Sequence, residues 1–182
     1  ERTQVLQWGQ GPQLPIRNCC LHEMVEEQGR LRPDNVALFD DMCRKSMTYG
    51  ELERQSTILA LKLQRLGAKP NTFIGILMGE RRFEMYVSVL GVLKSGAAYV
   101  PMHASLFPRE RIKFIVEDTS MRLMVTVDEY ADLAKDVQAE CTEYVEVVNV
   151  EDVVVNASDE GGMDGEGLDC TVKPTDAAYM IY

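Results

Sequence analysis

The chain has 182 residues, 46% of them hydrophobic and 26% charged, a composition that fits a globular fold of one domain or less and excludes a disordered or fibrous one. Lys and Arg number 19 against 29 Asp and Glu, and the formal charge of −10 is a poor footprint for a nucleic-acid backbone, which calls for clustered cations. No apolar run approaches the roughly 20 residues of a membrane helix, and nothing near Glu1 has the basic flank and apolar stretch of a signal peptide. The five cysteines (Cys19, Cys20, Cys43, Cys141 and Cys170) form no C-x-x-C pair, so neither zinc-site nor redox spacing is present. Reduced thiols of a cytoplasmic protein are the expectation.

Taken in chain order, residues 1–18 hold Pro12 and Pro15 with little periodicity and read as a linker, with Trp8 pinning it to a neighbouring surface. A short helix is expected from Leu21 to about Gly29, then a strand at Val36-Ala-Leu-Phe39 before the turn Asp40-Asp41. Thr48-Tyr49-Gly50-Glu51 fits a capping box, in which the Thr48 hydroxyl accepts an amide of the first turn while Glu51 reaches back to the Thr48 N–H. Leu52, Leu59, Leu63 and Leu66 follow on one helical face; Gly67 supplies a left-handed cap and Pro70 prevents continuation. The apolar run Thr72–Met78 predicts a buried strand.

From Arg82 to Lys94 a helix with almost no polar face should be buried on more than one side, with Lys94 at its negative end and Gly96 closing it. Ala98–Pro101 is a further strand, and Pro108 opens a helix carrying Ile112 and Ile115. Leu123–Val127, a helix from Asp128, and Tyr144–Val148 complete an alternation that predicts α/β architecture, with a largely parallel sheet layered with helices on both faces. Between Glu151 and Cys170 lie seven acidic residues, four glycines and no cation, which predicts a mobile, solvated loop; the spacing of a calcium loop is absent. Ala177–Tyr182 reads as a buried strand, and a chain that stops within one reads as cut from a longer domain.

The residue pattern by itself assigns no catalytic, cofactor-binding or metal-binding residue. His22 reads as a helix-start residue and His103 as a loop residue after a strand, neither with a Ser, Cys or ligand partner at motif spacing. Glu23, Glu26 and Glu27 read as a solvated helix face rather than an acid–base pair. Neither common phosphate-cradling glycine motif occurs. Met78, Met85 and Met102 read as core filler.

Several segments carry a resemblance to the adenylation domains of nonribosomal peptide synthetases, of the AMP-binding, acyl-adenylate-forming superfamily. Met47-Thr-Tyr-Gly-Glu-Leu52 resembles their first core motif and Leu93-Lys-Ser-Gly-Ala-Ala-Tyr-Val-Pro-Met102 their second. Pro108-Arg-Glu-Arg-Ile112 resembles the sequence that follows, although His103-Ala104 stands where Asp-Pro is usual. Asp176-Ala-Ala-Tyr-Met-Ile-Tyr182 is similar to the opening of the third motif, whose phosphate loop would begin at the next residue. Leu21–Gln28 with Pro33–Leu38 looks like the start of such domains, and Val5-Leu-Gln-Trp8 like the linker from a preceding condensation domain.

The resemblance implies an interdomain linker at 1–18 and, at 19–182, the N-terminal portion of the large subdomain of an adenylation domain, truncated before the phosphate-binding loop. It implies a ligase that, with ATP and Mg²⁺, converts an amino or other carboxylic acid to an acyl-adenylate. The acyl group then passes to the phosphopantetheine thiol of a downstream carrier domain. The fragment alone is expected to be inactive. Thr48, Tyr49, Glu51, Lys94, Gly96, Tyr99 and Pro101 in these motifs are accounted for by capping, turning and packing. Two alternatives stay open: a fragment of an acyl-CoA ligase, and a non-catalytic α/β binding module.

Overall fold

The computed structural model describes residues 2–11, 15, 17–79, 82–159, 167–168 and 172–182, with side chains left aside at 156–159. Four strands form one parallel sheet in the order β4-β3-β5-β6: β3 is Phe73–Met78, β4 Ala98–His103, β5 Leu123–Thr126 and β6 Glu146–Asn149. The central β3 pairs along its whole length with β4 (Phe73 opposite Ala98, Met78 opposite His103) and through Ile74–Ile76 with β5. A separate antiparallel hairpin joins β1, Val36–Asp40, to β2, Lys45–Thr48.

Because successive strand residues face opposite ways, β3 feeds two cores. Ile74, Ile76 and Met78 pack on one face beneath α3 (Tyr49–Arg65) and α4 (Phe83–Ser95). Leu77 lies on the other, with Met102 and Met124, beneath α5 (Arg109–Asp118) and α6 (Ala131–Glu140). The helix without a polar face is found as expected: α4 buries everything from Val87 to Ser95 except Val89. Its Gly91 meets Leu59 of α3, where an added Cβ would lie 2.7 Å from a Leu59 methyl. The missing side chain lets the two helices approach closely. The Thr48 capping box is also present, with the Glu51 N–H donating to the Thr48 hydroxyl at 3.2 Å and the Thr48 N–H to the Glu51 carboxylate at 2.8 Å.

Several expectations are corrected. The stretch expected to be loop from Glu151 begins instead as helix α7, Val150–Asp159, because Val150, Val153 and Val154 recur at helical spacing and pack on the core beside α3. The remainder of that stretch, 160–166 and 169–171, lies outside the described residues. Within the expected linker, Arg2–Trp8 forms helix α1, none of it buried, and Trp8 is 76% exposed. The 177–182 segment is not a buried strand. It runs along the open edge of β4 through a single bridge at Tyr99 and Tyr179, with Tyr179, Ile181 and Tyr182 exposed. The β2 strand was not anticipated, since Lys45-Ser-Met-Thr48 has only one buried apolar residue. His103 is the last residue of β4 rather than part of the loop after it.

Candidate functional site at the carboxyl edge of the sheet

In an open parallel sheet, ligands bind outside the carboxyl ends of neighbouring strands whose connections leave in opposite directions. Here that place lies between β3, which continues through α4 to β4, and β5, which continues through α6 to β6. Three loops converge there. Gly79, just past β3, faces Tyr130 of the 3₁₀ turn Asp128–Tyr130 and Ser105, just past β4; an added Cβ would lie 2.0 Å from the Tyr130 hydroxyl and 2.7 Å from the Ser105 hydroxyl. The two hydroxyls are 3.2 Å apart and share a hydrogen bond. Beneath them the Thr126 hydroxyl, fully buried, donates to the Leu77 carbonyl at 2.9 Å.

The rim is charged and internally paired. The Arg82 guanidinium donates to Glu129 at 3.0 Å and lies 3.6 Å from a Glu84 oxygen and 3.9 Å from a Glu151 oxygen. It thus ties the β3–α4 loop, the 3₁₀ turn and α7 together. Glu151 also accepts the Asp128 N–H at 2.8 Å, and the Asn149 amide donates to Asp128. Among the described residues three carboxylates surround one cation here, the wrong sign for a phosphate chain. His103 ends β4 half-buried, with its Nδ1 enclosed and without a hydrogen-bond partner among the described residues.

The other residues singled out by the sequence stand elsewhere. His22 is buried in the first turn of α2, Leu21–Leu31, where burial pushes its imidazole below the ordinary value against the opposing pull of Glu26 and Glu23. Glu23 accepts the Cys20 N–H at 2.5 Å and Glu27 pairs with Arg17 at 2.7 Å, so these carboxylates cap and pair rather than face each other. Lys94 is wholly buried: its ammonium sits 2.7 Å from a Glu53 carboxylate oxygen and donates to the Thr57 hydroxyl at 3.0 Å. Tyr99 and Gly96 lie at the start of β4 and the end of α4, the latter with φ +97. Among the described residues Cys19, Cys20, Cys43 and Cys141 form no disulfide, and Cys170 lies outside them. Among the described residues no three His, Cys, Asp or Glu side chains are grouped to hold a metal ion.

The Gly79–Ser105–Tyr130 contact and the Arg82 cluster were not found in the sequence. Their members are 25 to 69 residues apart or carry no motif spacing, and the available signal was limited to a glycine directly after a buried apolar run.

This fold is that of the adenylate-forming enzymes. The FmoA3 nonribosomal peptide synthetase in its AMPPNP-bound form superposes with a TM-score of 0.80 at 25% identity, over 99% of this chain and 18% of that one. The family described as AMP-binding enzyme matches residues 25–182. The chain belongs to the AMP-binding enzyme family. It is 35% identical to polyketide synthase PksN of Bacillus subtilis (strain 168) over 100% of its own length and 3% of that protein. It is 35% identical to tyrocidine synthase 3 of Brevibacillus parabrevis over 89% of its length and 2% of that protein. The chain therefore spans only a few hundredths of the length of these two relatives.

Proposed function

We propose that this chain is the front part of an adenylation unit in a nonribosomal peptide synthetase-type enzyme, with residues 1–18 joining it to a preceding condensation domain. Such an enzyme joins an amino or carboxylic acid to the α-phosphate of ATP, releases pyrophosphate, and hands the acyl group to a carrier-domain phosphopantetheine. The observation that carries the reading is the family match over 25–182, which contains all three core-motif segments in order.

The described residues at the carboxyl edge do not by themselves fit the triphosphate of ATP with its Mg²⁺. Among the described residues Arg82, the cation at the carboxyl edge, is committed to Glu129, Glu84 and Glu151, and no glycine-rich loop with a Lys occurs in the sequence. No chemical step is assigned to these side chains. Their part is to hold the edge of the sheet: Tyr130, Ser105 and Gly79 fix three loops against one another, and Lys94 with Glu53 fixes α4 against α3. A cytoplasmic setting belongs to the same proposal; among the described residues no helix is long and apolar enough to cross a membrane.

ATP–pyrophosphate exchange tests the reading. The native polypeptide continuing past Tyr182 is expected to show exchange stimulated by one acid from a panel of amino and carboxylic acids, while residues 1–182 alone show none. Exchange by the 182-residue chain, or none by the longer polypeptide with any acid, would overturn it. Transfer of the activated acyl group to free coenzyme A rather than to a carrier domain would favour the acyl-CoA ligase.

A further inference from the structure

We propose that His22 is a proton-operated catch: neutral, it packs under the strap formed by residues 172–178, and on protonation it releases that strap from the start of α2. This goes beyond the adenylation reading and does not depend on it.

The geometry lies in two cavities flanking the imidazole. One, of about 250 Å³, is bounded by Cys19–His22 on one side and by Val172–Pro174 and Asp176–Ala178 on the other; the second, of about 210 Å³, lies over Glu26 and Lys94. His22 and Val172 line both, so the seam between strap and helix is loosely filled and water enters once the strap lifts. Among the described residues, these bonds tie the strap to the rest of the chain. The Cys20 thiol approaches the Val172 carbonyl at 3.8 Å, Asn71 donates to Asp176 at 3.3 Å and accepts the Ala177 N–H at 3.1 Å. At its end the Tyr99 N–H donates to the Ala178 carbonyl at 3.1 Å, and just beyond it the Met180 N–H donates to the Tyr99 carbonyl at 3.0 Å. A segment held this way opens at far lower cost than the core.

The charges around His22 come from four elements. Glu23 and Glu26 lie on its own helix, Glu53 on α3, Lys94 on α4, and Lys173 and Asp176 on the strap. Glu23 is held by the Cys20 N–H and Glu53 by the Lys94 ammonium, which leaves Glu26 as the carboxylate nearest to favouring a cation. Against it stand burial, the positive end of the α2 dipole and the buried Lys94. Burial is the largest of these influences, and it lowers the imidazole's proton affinity. The neutral form is therefore favoured in the closed seam, and closure is fully present above the ordinary His value of about 6.5 and weakens as pH falls through the lower folded one.

The test is amide hydrogen exchange of the 182-residue chain, corrected for intrinsic rates, between roughly pH 7.5 and 5.5, which brackets the ordinary imidazole value. Protection of the Met180 and Tyr99 amides is expected to fall on acidification, by about tenfold for each unit separating the closed and open values of His22. In His22→Gln the protection should not change with pH, whereas His103→Gln should respond like the parent. Should His22→Gln fail to fold, NMR titration of the parent decides the matter, since it has only two histidines to assign. A midpoint for strap release coinciding with that of His22 supports the catch. Unchanged protection in the parent, a full response in His22→Gln, or a midpoint apart from His22's overturns it.

Discussion

Lys94 has no contact with water, and its ammonium is enclosed by the Glu53 carboxylate, the Thr57 hydroxyl and the Glu53 carbonyl. Removing one partner of such a pair strands the other, so Lys94→Met should destabilise the fold by about 3 kcal/mol, the low end for a broken buried pair because Glu53 keeps part of its surface in water. Combining it with Glu53→Leu should recover most of that loss, read from urea unfolding curves. Gly79 makes a second residue-scale case. Gly79→Ala places a methyl inside the Tyr130 hydroxyl's space and should cost about 1–3 kcal/mol. The added cost should fall beside Tyr130→Ser in a double-mutant cycle, where only the Ser105 hydroxyl at 2.7 Å has still to shift; equal costs in both backgrounds would show that the loops yield independently.

At the scale of elements, the Thr48 box decides where α3 begins. Thr48→Ala should lower stability by about 1 kcal/mol. The Thr48 N–H and the Thr48 hydroxyl both donate to the Glu51 carboxylate, at 2.8 and 3.0 Å, and hold it below the usual carboxylate range, so the ionised form is favoured in the folded chain. The cap's contribution is present above the ordinary Glu value and lost as pH falls through the depressed one; a Glu51→Gln variant should lose less stability on acidification than its parent does. Elements with a local signal were legible in the sequence: the box itself, the Gly67 and Gly96 stops, and the unbroken apolar run of β3. Those decided by distant partners were not. β2 exists because it pairs with β1, and Ser46 opposite Phe39 carries no strand pattern of its own. α7 was hidden by its acidic composition, although three valines set its buried face.

Across the whole molecule one strand couples the two packed layers, since Ile76 faces α3 and α4 while Leu77 faces α5. Ile76→Ala and Leu77→Ala should each cost about 2–5 kcal/mol. Each should also shift the unfolding midpoint of both layers together, followed by circular dichroism and by exchange of β4 and β6 amides. Two separate midpoints would mean that the layers unfold independently. The parallel sheet was readable from the alternation of apolar runs and helices, but strand order was not, and the candidate site depends on strand order. Gly79, Ser105 and Tyr130 meet because β4 and β5 flank β3 on opposite sides, a fact of topology that no local spacing encodes.

Pro101 sits opposite Ile76 in β4. Tyr99 turns both its N–H and its carbonyl outward to the 177–182 segment, and two residues on, Pro101 turns the same way with no N–H to offer. The exposed flank of the sheet can therefore accept a strand around Tyr99 but cannot extend that ladder past it. An edge interrupted like this is a poor template for indiscriminate growth by stray chains, and it limits any legitimate neighbour to a narrow choice of alignment.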